Sequence, residues 1–261
     1  MLLFLATFVI ALAFSCMGFK KYVWFISIGY GFSVAAIGIG LLVAAHDQLT
    51  AATAIACVLF IVYGLRLGGY LAFRELRSTS YNTKMKGEIK SGDDMSMVAK
   101  CAIWISAALL YACETSPVCF RLANESGADA LLVIGLIVSV IGLVVETVAD
   151  LQKNAAKKAN PRRFVDTGLF SIVRCPNYFG EITFWTGVFV SGFTTYQGIG
   201  QWLFGIIGYV AIFYIMINGA QRLDRRQEKA NGHKKEYRAY ADHTPLILPF
   251  IPVSHIGKYK D

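Results

Sequence analysis

Apolar residues fill this chain in long blocks, and polar residues gather between them. The blocks run from Leu2 to Phe19, Tyr22 to Ala45, Leu49 to Phe73, Val98 to Phe120, Ala130 to Ala149, Phe179 to Tyr196 and Trp202 to Ala220. A helix needs about 20 apolar residues to cross the hydrocarbon of a bilayer. There the backbone must satisfy its own hydrogen bonds, so such blocks fold as helices. The pattern predicts an all-α, polytopic membrane bundle of seven transmembrane helices, forming a single domain over residues 1–261. Polar loops are expected at about 74–97 and 150–178, with a polar tail over 221–261. The first block has no basic stretch before it and is followed by Lys20 and Lys21, a stop-transfer pattern rather than a cleaved signal.

Composition agrees with the pattern. Hydrophobic residues are 56% of the chain, charged residues only 16%, and mean hydropathy is +0.51, which excludes an ordinary soluble domain. The net charge of +8 does not imply a nucleic-acid partner, which would require a basic face on a soluble domain. With seven crossings, 23 of the 25 Lys and Arg fall on one side. The bias places that side in the cytoplasm and the N-terminus outside or in a lumen. A bacterial inner membrane and an endoplasmic reticulum both fit. The six Cys show no paired metal spacing, and no metal is expected. Cys113 and Cys119, near one helix end, could pair if that end faces an oxidising compartment.

Ionisable residues inside apolar blocks are costly and mark candidate sites. Glu114, just before Ser116-Pro117, is expected at a solvated helix end. Glu146 and Asp150 are four apart and share a helix face, as do Asn177 and Glu181. Tyr63, Arg66 and Tyr70 form one stripe, which should face the bundle interior. Glycines at 29, 31, 38 and 40 and at 64, 68 and 69 fit either close helix packing or room for a flat ligand. Lys153, Lys157, Lys158, Arg162, Arg163 and Arg174 call for an anion. Lipid headgroups or a phosphate-bearing cofactor would both serve. No glycine-rich phosphate loop is present.

Three strings, Gly168-Leu-Phe-Ser171, Arg174-Cys-Pro-Asn-Tyr-Phe-Gly-Glu181 and Tyr237-Arg-Ala-Tyr240 leading to Leu248-Pro-Phe-Ile-Pro252, resemble the steroid 5-alpha-reductase family of integral membrane enzymes, bacterial-type relatives above all. The likeness covers about Tyr63 to Pro252. The first two helices match only in hydropathy. The resemblance implies seven helices, NADPH bound from the cytosolic side, and reduction of a carbon–carbon double bond conjugated to a ketone in a steroid-like or other lipid substrate. It implies Tyr63 as proton donor with Arg66 on the same stripe. It implies a cofactor set of Glu146, Asp150, Lys157, Arg163, Asn177 and Glu181, to which Tyr70, Arg174 and Tyr178 are added.

Two departures stand out. Cys175 replaces a His of the close relatives, and the helix-two stretch Ser27 to Phe32 has no acid where the steroid reductases carry a Glu. An S-adenosylmethionine-dependent membrane methyltransferase of the isoprenylcysteine or phospholipid type, and a non-catalytic lipid-binding membrane protein, are the alternatives. The former retain the missing His and carry an acidic pair where this chain has Gln227-Glu228. The partners expected are membrane lipids and a lipid-like small molecule; the oligomeric state is left open.

Overall fold

A computed structural model describes residues 1–77 and 95–249. Over these residues the chain is helical, with no strand. The helices are α1 (Leu2–Ser15), α2 (Ile28–Ala44), α3 (Ala51–Arg77), α4 (Met97–Ala123), α5 (Ala130–Ala159), α6 (Pro176–Ser191), α7 (Gly198–Asn231) and α8 (Lys235–His243). Most of the polar loop expected at 74–97, and the apolar Phe250 to Pro252, lie outside the described residues.

Six stretches among the described residues are long and apolar enough to cross a membrane: Leu2–Phe19, Tyr22–Ala44, Ala51–Glu75, Met97–Ala123, Ala130–Ala159 and Gly198–Asn231. The protein is an integral membrane protein of helical architecture. The expected sixth span, from Phe179 to Tyr196, instead forms α6, which starts earlier and has 16 residues. At 1.5 Å per residue it is about 24 Å long, short of the hydrocarbon thickness. Its end has a visible cause. Arg121 Nε and Nη2 donate to the Ser191 carbonyl at 3.1 and 2.8 Å, taking an acceptor that further helix would use.

Two other boundaries differ from expectation. Helix α5 continues ten residues past Ala149, through Asp150-Leu-Gln-Lys-Asn-Ala-Ala-Lys-Lys-Ala159, and α7 continues past Ala220 to Asn231. Both extensions are rich in Ala, Lys, Arg, Gln and Glu, which are strong helix formers. Falling hydropathy ends an apolar block without ending a helix.

The chain forms two compact units, one of Met1–Leu136 with Val188–Tyr209 and one of Ile137–Gly187 with Val210–Asp261. In the first, α2 and α3 meet through glycine. A Cβ on Gly31 would stand 2.5 Å from Gly68 N, one on Gly64 would stand 2.3 Å from Gly31 O, and one on Gly38 would stand 2.6 Å from Cys57 O. At Gly31, Gly38 and Gly64 the space is filled by the neighbouring backbone, so close packing is their role. Trp104 Nε1 ties α4 to α1 by donating to Leu12 O at 2.9 Å. Arg121, 1% exposed, also donates to Gly127 O, Asp129 Oδ2 and Thr194 Oγ1 at 2.6, 3.0 and 2.7 Å. These bonds gather the segments flanking α4 and α6.

Glu114 does not lie at a solvated end. Helix α4 runs on through Pro117 to Ala123, and Glu114 is 3% exposed. Proline is tolerated in membrane helices, so Ser116-Pro117 marks no boundary. Cys113 and Cys119 are both free and buried. Six residues apart on one helix, they point to different faces.

In the second unit, α5 and α6 cross at glycines. A Cβ on Gly142 would stand 2.3 Å from Phe184 N, and one on Gly180 would stand 2.6 Å from Glu146 N. Ser139 Oγ donates to Phe184 O at 3.0 Å beside the crossing. The chain after α8 returns as a strap. Arg174 N donates to Pro245 O at 2.8 Å and Cys175 N to Leu246 O at 2.9 Å. Leu246 and Ile247 are buried with Cys175, Ile182 and Ala220.

Candidate functional site

The α5 extension places Glu146, Asp150, Lys153 and Lys157 at intervals of four, three and four, one face of a single helix. Glu146 is buried at the Gly180 crossing, Asp150 is half-buried, and the two lysines reach a cleft in the second unit. Lys153, Lys157 and Arg174 supply its positive charge and Asp224 its negative charge. Phe164, Phe170, Tyr237 and Tyr240 give it aromatic walls, with Leu223 and Gln227 from the α7 extension. The cleft holds about 50 Å³, room for a few waters or one phosphate-sized group.

Local sequence accounts for its walls. Gly168 has φ +64°, and a Cβ there would stand 2.5 Å from Gln152 Oε1. That oxygen accepts from Leu169 N at 2.9 Å. Gly168 is favoured by its left-handed backbone, and the following turn presents Phe170 to the cleft. Tyr240 Oη donates to Phe170 O at 2.7 Å, and the rings of Phe164 and Tyr240 stack at 5.5 Å. Lys157 Nζ donates to Arg163 O at 2.5 Å, which folds the loop after α5 back onto it.

Arg174 is committed within the fold. It pairs with Asp224 and donates from Nε to Thr244 O at 3.1 Å, so it holds the strap as well as lining the cleft. Arg163 lies at the surface, paired with Asp166 at 2.9 Å and Glu236 at 3.6 Å, and is not part of the cleft lining. Burial, and next the Asp224 carboxylate, raise the Cys175 thiol from its usual 9.0 to about 12 and the Tyr237 phenol from 10.0 to about 12. Both stay protonated at neutral pH.

Of the predicted cofactor set, Lys157 and Arg174 line the cleft. On α6, Glu181 is buried and accepts from Trp185 Nε1 at 3.3 Å, while Asn177 Oδ1 is buried without a hydrogen-bond partner among the described residues. Tyr178 packs toward Gly219 of α7. Lys153, expected only as one of several cations calling for an anion, lines the cleft, and Asp224, Gln227 and the aromatic walls join it without having been expected as site residues. Their signal was present, since in Arg222 to Lys229 the residues facing the cleft (223, 224 and 227) alternate at helical spacing with the exposed Arg222, Arg225, Arg226 and Lys229.

The predicted catalytic stripe lies in the first unit. Tyr63 is 0% exposed and its Oη donates to Tyr30 Oη at 2.9 Å. Arg66 and Tyr70 are half-buried, and the Arg74 guanidinium lies 5.6 Å from the Tyr70 ring centre. The acid-free helix-two stretch thus contributes Tyr30. Among the described residues no three His, Cys, Asp or Glu gather as metal ligands would.

The family described as "Protein of unknown function (DUF1295)" matches residues 13–244. No curated protein and no solved structure matches the chain. With the match running from the end of α1 to the strap that closes over Arg174, the chain belongs to the DUF1295 family.

Proposed function

We propose that this protein is an NADPH-dependent membrane reductase of a carbon–carbon double bond conjugated to a ketone, acting on a steroid-like or other lipid substrate. The observation that carries the reading is the cleft of the second unit, with a net charge of two positive units and aromatic walls. A single phosphate group of a larger cofactor is what such a lining recognises. The buried acceptor of Asn177 suits an amide or hydroxyl donor nearby. The similarity of the Gly168, Arg174 and Tyr237 strings to the steroid 5-alpha-reductases supplies the reaction class.

Lys157 and Arg174 would hold phosphate oxygens, with Lys153 adding to the field. Glu146, Asp150, Asn177 and Glu181 would orient polar groups of the cofactor, with Arg163 and Tyr178 in support. When bound, NADPH supplies a hydride for the β-carbon of the enone. Charge then develops on the ketone oxygen, and a donor placed there lowers the barrier. Tyr63 donates that proton as general acid, and Arg66, one turn along α3, favours the negative charge. Apolar helix surfaces keep water from the reacting atoms and receive the substrate from the bilayer.

The Lys and Arg distribution orients the protein with its N-terminus outside or lumenal and its C-terminus cytoplasmic, in a bacterial inner membrane or the endoplasmic reticulum. This orientation counts α6 as a crossing despite its length.

Titration of the purified protein with NADPH and with S-adenosylmethionine tests the reading. NADPH is expected to bind, and its oxidation is expected with an enone such as 4-cholesten-3-one. Tight binding of S-adenosylmethionine alone refutes it in favour of a methyltransferase. Tyr63→Phe is expected to abolish turnover and leave NADPH binding intact; normal turnover removes Tyr63 from the mechanism.

A further inference from the structure

We propose that Tyr30 of α2 is the positioning partner of the Tyr63 phenol, fixing its oxygen and donating to it as Tyr63 passes its proton to the substrate. The inference rests on the reductase reading for its chemistry, but its geometry stands within the first unit.

Both phenols are buried, Tyr30 at 6% exposure, and their oxygens lie 2.9 Å apart with the rings edge-on at 6.1 Å and 74°. Each tyrosine immediately precedes a glycine of the α2–α3 crossing, Gly31 and Gly64. A Cβ on Gly64 would stand 2.3 Å from Gly31 O, so nothing larger than hydrogen fits between the backbones. The crossing that brings the helices together therefore sets the distance between the two phenols.

A third ring backs the pair. Tyr111 of α4 lies 4.9 Å from the Tyr30 ring at 37°, and its own Oη donates to Phe25 O at 2.5 Å. Tyr30 is thus held between an anchored ring on one side and Tyr63 on the other.

A hydroxyl both donates and accepts, and in a hydroxyl pair either oxygen can hold the shared hydrogen. When Tyr63 turns its hydrogen toward a ketone, its oxygen becomes an acceptor and Tyr30 turns donor. The Tyr63 O–H bond breaks and its proton goes to the oxygen of the enolate formed by hydride addition. The enone carbon is reduced by the hydride that NADPH would supply, and the enol returns to the ketone by taking a proton from water at the α-carbon and giving its O–H proton back to Tyr63. Until that return the Tyr63 oxygen carries negative charge, which the Tyr30 O–H meets directly. A hydrogen bond to an ionised acceptor is about twice as strong as one between neutral groups, so the contact is strengthened where the barrier lies.

The test places 3-fluorotyrosine at position 63 and follows its fluorine resonance in the full-length protein in nanodiscs. Tyr30→Phe keeps the ring against Tyr111 and removes only the hydroxyl. It is expected to shift the resonance, and to lower kcat for NADPH-dependent reduction of 4-cholesten-3-one by about tenfold or more, with the KM for the enone little changed. A purely structural role for Tyr30 would not give that split. Placing 3,5-difluorotyrosine at position 30 is a near-isosteric second variant with a stronger donor; it is expected to move the position-63 resonance the opposite way. An unchanged resonance in both variants overturns the pairing whatever the activity. A resonance that responds in a protein that oxidises no NADPH with any enone overturns the reductase reading, and with it the catalytic sense of the pair.

Discussion

The Arg174–Asp224 pair is the contact on which the cleft most depends, and its worth can be worked out from its surroundings. The side chains are 8% and 17% exposed, so each charge is largely out of water. Breaking such a pair from one side strands the other charge, at a cost of about 3–5 kcal/mol. Asp224 retains some solvent contact, which points to the lower end, about 3 kcal/mol, for Arg174→Gln. Asp224→Asn leaves Arg174 its bond to Thr244 O and should cost about 2 kcal/mol, while the double variant strands neither charge and should cost only about 1–2 kcal/mol.

The two substitutions should therefore couple by about 3–4 kcal/mol in a double-mutant cycle, read by equilibrium unfolding in mixed micelles. Additive losses, with a coupling under about 0.5 kcal/mol, would refute the assignment of Arg174 as the clamp of the strap. The same cycle separates structure from ligand. Asp224→Asn removes the acidic group from the cleft lining and is expected to tighten NADPH binding several-fold even as it destabilises the protein. One unit charge acting across the cleft is worth on the order of 1 kcal/mol. Weaker binding in that variant would show that Asp224 serves the ligand rather than opposing it.

Three further outcomes follow from the packing. Gly64→Ala should destabilise by about 1–3 kcal/mol, because its Cβ meets backbone atoms at 2.3 and 2.5 Å, whereas Gly69→Ala, with nothing within 4 Å, should be neutral or gain up to about 1 kcal/mol; equal effects in thermal unfolding would refute the crossing. Cys175 and Tyr237 hold their protons more tightly folded than unfolded, so their share of stability is complete below pH 9 and is lost as pH rises through about 12; unfolding measured between those limits should show the loss, and Cys175→Ala should flatten it. Arg121→Met should cost about 3–5 kcal/mol by stranding Ser191 O, Gly127 O and Asp129, and a variant as stable as the parent protein would remove Arg121 as the clamp on α6.

Shared helix faces were legible because residues recur at helical spacing, although only Lys157 and Arg174 of the expected cofactor set line the cleft. Counting alone puts Glu146 with Asp150, Asn177 with Glu181, and Tyr63 with Arg66 and Tyr70 on shared helix faces. What counting missed came from treating hydropathy as a helix boundary. Hydropathy puts Lys153 in a loop and Asp224 and Gln227 in a tail, although Ala, Lys, Gln and Glu carry α5 to Ala159 and α7 to Asn231. Glu114 is the converse case, since a proline that would end a soluble helix stands here inside a helix that continues to Ala123.

The partners could not be counted at all. Nothing local to Arg174 points to Asp224, 50 residues away, and nothing in an acid-free helix two points to a phenol meeting Tyr63.

By itself the sequence determined the solvent of this protein and therefore its architecture. A backbone in hydrocarbon must bond to itself, so long apolar blocks admit little but helices. It also determined which side chains share a helix face, because 3.6 residues per turn is a property of the chain alone. Only the tertiary structure decided which faces meet. That depends on how near two backbones can come, and here glycines at 31, 64, 142 and 180 set the approach that pairs Tyr30 with Tyr63 and buries Glu146 against α6.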